Sequence, residues 1–160
     1  MTSISFLLLD YDGVLHPDAV YRAPGGGVVL KREGGKLFEW APQLAEALAP
    51  HPHLEIILST SWVTALGYEY ARKALPEPLR ERVVGSTRDP FKAMARWKRM
   101  ERGEQIRRYV EHRALSGWIA IDDGVELWPA DWGDKLIRCD SDLGLGEPGK
   151  VQELIDALGR

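Results

Sequence analysis

Leu7-Leu8-Leu9-Asp10-Tyr11-Asp12-Gly13 is an apolar run that stops abruptly on two carboxylates and a glycine. An unbroken apolar run, instead of strict alternation, is expected of a strand whose sheet is covered by helices on both faces. The first strand is therefore placed from about Ile4 to Asp10. Side chains two apart on a strand point the same way, so Asp10 and Asp12 can face one ligand while Tyr11 turns to the opposite side. Gly13 permits a sharp exit from the strand.

Outward from this stretch, apolar runs and helical patterns alternate, the order of an α/β protein with a mainly parallel sheet between two helical layers. His16 to about Phe38 carries Pro24, Gly25-Gly26-Gly27, Val28-Val29-Leu30 and a Glu33-Gly34-Gly35 turn, and reads as a loop with a small β-hairpin. A short helix follows from about Pro42 to Ala49, stopped by Pro50 and Pro52. The second strand is Leu54 to Leu58, running into Ser59-Thr60-Ser61-Trp62 and a helix to about Ala74. A third strand is expected around Val83-Val84, and a helix from Arg102 to Arg113 on the spacing of Ile106, Tyr109 and Val110. Gly117 to Ile121 is the fourth strand, stopping at Asp122-Asp123-Gly124, and Leu136 to Cys139 the fifth. Val151, Leu154, Ile155 and Leu158 mark the buried face of a closing helix begun near Pro148.

The length, 160 residues, suits one domain spanning residues 1–160 with one core. Six Trp and an apolar fraction of 44% argue against a disordered chain. A formal charge of -3 does not commit the whole molecule to nucleic acid or an anionic membrane, so such a partner would need a local patch. The lone Cys139 cannot form an internal disulfide, which fits a reducing compartment. The stretch from Met1 to Leu9 lacks a basic start and meets Asp10 too early for a signal peptide or membrane span. The expectation is a cytoplasmic protein without a membrane or an obligate protein partner.

Asp10-Tyr11-Asp12-Gly13, Ser59-Thr60-Ser61 and Asp122-Asp123-Gly124 each end a predicted strand. In an open parallel sheet those ends share one edge, where ligands bind. Carboxylates crowded there repel one another unless a cation lies between them, and magnesium, which prefers oxygen donors and retains positions for water and phosphate, suits the task. With it bound, Asp10 stays ionised as a nucleophile and Asp12, farther from the metal, holds a proton.

Leu7 to Leu15 resembles the first motif of the haloacid dehalogenase-like (HAD) superfamily, a hydrophobic strand followed by Asp-x-Asp-Gly in the form typical of its phosphatases. The resemblance implies that Asp10 forms an aspartyl-phosphate, that Asp12 protonates the leaving oxygen and then activates water, and that the Asp12 backbone carbonyl joins Asp10, Asp122 and Asp123 in holding Mg2+. It implies Thr60 as the phosphate-binding hydroxyl, with Ser59 and Ser61 as one-residue alternatives, and Arg102 as the basic residue, with Lys92, Lys98 and Arg99 competing. No clear Lys-Pro marks the basic motif, and no segment is long enough for a large cap. His16 to Phe38 resembles the flap of cap-less members. Ser59-Thr60-Ser61-Trp62, Arg102-Gly103-Glu104-Gln105-Ile106 and Ile121-Asp122-Asp123 are similar to small HAD domains associated with RNA-repair proteins. The implied substrate is a phosphorylated small molecule or a nucleic-acid end.

Other readings compete. Asp-x-Asp after a strand can be turn chemistry, Ser59-Thr60-Ser61 can cap a helix, and Asp122-Asp123 can solvate a loop. The basic stretch from Lys92 to Arg113 includes Trp97 and Tyr109, but Glu101, Glu104 and Glu111 make it read as a solvated helix face. Trp62, Trp118, Trp128 and Trp132 read as core or pocket wall, with Trp62 bordering the site. Gly144 to Gly149 has dinucleotide-binding spacing but precedes the last helix, with no strand to follow. A non-catalytic metal- or phosphate-binding module remains as the alternative, opposed by retention of both Asp10 and Asp12. A receiver-type phospho-acceptor domain would carry its acidic groups in a different order.

Overall fold

The computed structural model describes residues 3–124 and 126–160; Met1 and Thr2, part of the N-terminal stretch read above, lie outside them. Five parallel strands form one sheet in the order β5-β4-β1-β6-β7, with β1 Phe6–Leu9, β4 Glu55–Leu58, β5 Val83–Ser86, β6 Trp118–Asp122 and β7 Leu136–Arg138. The central strand β1 pairs Leu9 with Leu58 on one side and with Ile121 on the other, so these strands end level with one another. That register brings three distant polar clusters to one edge.

Alternate residues of the sheet feed two cores. Leu7, Leu9, Ile56, Leu58, Ile119 and Ile121 pack with α1 Ala41–Leu48, α3 Tyr68–Ala74, α4 Glu77–Arg80 and α6 Lys150–Leu158. Leu8, Ile57, Trp118 and Ala120 pack against Ile106, Tyr109 and Val110 of α5 Arg102–Arg113. Leu7, Leu8 and Leu9 are all fully buried, the physical reason for the unbroken apolar run. The result is an α/β/α sandwich without a large cap. A separate antiparallel pair, β2 Val20–Arg22 and β3 Val28–Leu30, forms the flap hairpin between β1 and α1.

Several boundaries differ from expectation. Ile4, Ser5 and Asp10 fall outside β1, although Asp10 still donates its N–H to the Ile121 carbonyl at 3.2 Å. The helix expected after Trp62 is two helices, α2 Trp62–Leu66 and α3, because Gly67 at φ +98° breaks it. The third strand extends to Ser86, and Ile155 is 42% exposed instead of facing the core. Short 3-10 turns at Asp89–Phe91, Ala95–Arg99, Ala130–Lys135 and Gly144–Gly146 fill connections that carry no strong period. No helix among the described residues is long and apolar enough to cross a membrane.

Candidate active site

Asp10 follows β1 with the same strand parity as Leu8, which directs it to the face covered by α5. Asp122 ends β6 with the parity of Ala120. Arg102 opens α5 and meets both: its Nη1 lies 3.3 Å from Asp10 Oδ1 and 3.0 Å from Asp122 Oδ2. Tyr11 takes the opposite direction, fully buried, and donates its hydroxyl to the Ala71 carbonyl at 2.7 Å. Asp10 Oδ1 also accepts the Tyr11 N–H at 2.8 Å, and Asp122 Oδ1 accepts the Gly124 N–H at 2.9 Å. Both carboxylates are therefore fixed by groups from their own strand ends as well as by Arg102.

Oxygens of Asp10, Asp122 and Asp123 lie within 4.8 Å of one another. Burial pushes the Asp10 carboxyl well above the usual range; Arg102 opposes this, and Asp122, Asp123 and Asp12 add to it. Asp122 is likewise raised by burial against Arg102. Burial opposes the charge of Arg102, but Asp10 and Asp122 hold its guanidinium protonated. One cation facing three carboxylates leaves negative charge in excess. A cluster of hard oxygen donors, two of them buried, fits a hard divalent cation such as Mg2+.

Gly13 is required twice. Its φ is +78°, and a Cβ there would overlap the Asp123 carboxylate. The same Asp123 oxygen, Oδ2, accepts the Ser141 hydroxyl at 2.9 Å.

Asp12 lies outside the three-carboxylate cluster, with 24% of its side chain exposed. His16 Nδ1 accepts the Phe38 N–H at 3.1 Å, which places the ring proton on Nε2, 2.8 Å from Asp12 Oδ1. Trp62 Nε1 donates to the same oxygen at 2.9 Å. Oδ1 is thus occupied by two donors. His16 was read in the sequence only as the start of a loop, and Trp62 only as a neighbour of the site. The signal was the spacing of four between Asp12 and His16; what made it matter is a turn in which Gly13 donates its N–H to the His16 carbonyl at 2.9 Å.

The Ser/Thr cluster divides by environment. Thr60 Oγ1 accepts the Trp62 N–H at 3.2 Å, which leaves the hydroxyl proton available, while Ser61, the residue before α2, makes no side-chain cap. Ser59 Oγ is buried with no hydrogen-bond partner among the described residues, and Ser61 is exposed. All three border a cavity of about 310 Å³ that also touches Arg102, Lys98, Trp97 and Gln105. Among the competing cations, Lys98 reaches this cavity, whereas Lys92 and Arg99 do not line it. Trp97 is buried in a stack with Phe91 and forms part of the cavity wall, whereas Trp118 and Trp132 meet edge to face on the core beneath α5. Cys139 is buried, and burial pushes its thiol up to about 12, so it is inert.

Neither a curated protein nor a solved structure matches the chain. Residues 6–149 match the family described as the HAD domain in Swiss Army Knife RNA repair proteins. That match takes in all three strand-end clusters and Arg102, and the chain belongs to this family.

Proposed function

We propose that the protein is a magnesium-dependent phosphomonoesterase acting on a phosphorylated end, with Asp10 as nucleophile and Asp12 as general acid and base. The observation that carries this reading is the division between the two carboxylates. Asp10 is buried against Arg102, Asp122 and Asp123, whereas Asp12 stands apart with one oxygen tied to His16 and Trp62. A pair of acids in such different surroundings suits one that attacks and one that carries a proton.

Asp10, Asp122, Asp123 and the Asp12 carbonyl would hold Mg2+, which when bound supplies positive charge to the carboxylates and the phosphoryl oxygens. A carboxylate oxygen of Asp10 bonds to phosphorus as the bond from phosphorus to the leaving oxygen breaks. Asp12 passes its proton to that oxygen. Water then attacks the aspartyl-phosphate, giving a proton back to Asp12, and the bond between Asp10 and phosphorus breaks to release phosphate. The Thr60 hydroxyl, with Ser59 and Ser61 as its one-residue alternatives, and Arg102 would steady the transferring group.

The family's association with RNA repair favours a nucleic-acid end among possible substrates. A panel of phosphate-release assays with nucleotides, sugar phosphates, phosphopeptides and phosphorylated oligonucleotides tests the reading. Magnesium-dependent release with at least one substrate, lost in Asp10→Asn, is expected. Turnover that persists in Asp10→Asn overturns the nucleophile assignment, and tight metal binding without turnover on any substrate favours the non-catalytic module.

A further inference from the structure

In-line displacement places the leaving oxygen opposite the attacking oxygen of Asp10, where Asp12 can reach it. The leaving group therefore departs on the side of Asp12, whose walls are His16, Trp62 and the feet of the flap. A groove of about 510 Å³ opens there, between the flap and α3, lined by Val28, Phe38, Trp62, Tyr70 and Lys73. Trp62 is the residue shared between groove and site: its indole N–H is spent on Asp12 while its ring meets Phe38 at 5.5 Å and Tyr70 at 6.3 Å between centroids.

Tyr70 is 43% exposed, and the Lys73 ammonium has no ion-pair partner among the described residues. The flap, residues 16–38, carries four Lys or Arg against two acidic residues, although the chain as a whole has a net charge of -3; Arg32 pairs with Asp142 and Lys31 lies over Tyr21, while Arg22 and Lys36 make no ion pair among the described residues. The groove thus offers an aromatic wall and, in Lys73, a cation without an ion-pair partner among the described residues. A flat ring with negative charge on both sides suits it: one phosphate goes to Asp10 and the next to Lys73. A phosphotyrosine peptide supplies the ring and the first phosphate but leaves Lys73 unused.

We propose that this groove receives the terminal nucleoside of a single-stranded nucleic acid, its base against Tyr70 and the Trp62–Phe38 wall and its adjoining phosphodiester on Lys73. The inference rests on the phosphatase reading for the direction of the leaving group, but its test needs no turnover. The full chain, in chelator, is titrated with a short fluorescent single-stranded RNA that lacks a terminal phosphate, and binding is followed by anisotropy. Tyr70→Ala is expected to weaken binding about tenfold and Tyr70→Phe to preserve it. Lys73→Ala is expected to weaken it severalfold and to lower the slope of log affinity against log salt by about one.

Equal RNA affinity in wild type, Tyr70→Ala and Lys73→Ala overturns the proposal, as does a phosphotyrosine peptide that binds more tightly than RNA through Tyr70. Absence of phosphate release, with binding still dependent on Tyr70 and Lys73, removes the phosphatase reading and leaves the groove. Active enzyme with RNA affinity indifferent to both residues does the reverse.

Discussion

Asp12 Oδ1 accepts from two donors of different origin, His16 Nε2 at 2.8 Å and Trp62 Nε1 at 2.9 Å. Leaving one of these donors out costs about 1–3 kcal/mol, so losing a bond that orients the proton carrier should cost about five- to a hundredfold in kcat. Trp62→Phe keeps the ring and removes the N–H; on a small substrate such as glycerol phosphate, steady-state kinetics should show a lower kcat with little change in KM. His16→Gln, whose amide can both donate and accept, should retain more kcat than His16→Ala. Unchanged kcat in Trp62→Phe contradicts a positioning role. At this scale the sequence was informative about which acids matter, because Asp-x-Asp-Gly is itself a geometric statement: alternation aims the acids, and Gly13 makes room for Asp123. It was silent about His16's role and placed Trp62 only at the border of the site, because their meeting with Asp12 depends on a loop that folds back and on a helix start contributed by another strand.

The helix α5 carries Arg102 to the carboxylates, and its first turn is set by close packing. A Cβ on Gly103 would lie 2.5 Å from the Leu127 backbone, and the Gly103 N–H donates to the Glu126 carbonyl at 3.3 Å. Gly103→Ala should push that turn away and carry Arg102 with it. The expected outcome is a loss of about 1–3 kcal/mol of stability by denaturant unfolding, together with reduced kcat/KM. Full activity at wild-type stability contradicts the account of how Arg102 is positioned. Elements with a strong period were legible: β1, β4, β6 and α5 lie close to where apolar runs and helical spacing put them. The rest depended on tertiary context. Gly67 divides one expected helix in two, and Ile155, apolar and at helical spacing, lies exposed because α6 buries a narrower stripe through Leu154, Ala157 and Leu158.

At the scale of the whole molecule, the sheet edge concentrates like charge, and function opposes stability there. The folded-state value of Asp10 lies above its ordinary one, so the metal-free fold favours the protonated acid. Its contribution is most favourable below the ordinary carboxylate range and is lost as pH rises through the raised value. In chelator, Asp10→Asn should therefore melt about 2–6 °C above wild type at neutral pH, and the difference should shrink in acid. Mg2+ should narrow the gap at neutral pH by stabilising wild type more than the variant. A wild type that melts above Asp10→Asn in chelator at neutral pH contradicts the charge-excess account. The central claim, that Asp10 is the nucleophile, is tested most directly by trapping. Enzyme turning over a phosphorylated oligonucleotide with Mg2+ is quenched in acid, reduced with borohydride and sequenced by mass spectrometry. Conversion of Asp10 to homoserine, dependent on substrate and Mg2+, is the predicted result; robust phosphate release with Asp10 unmodified contradicts it.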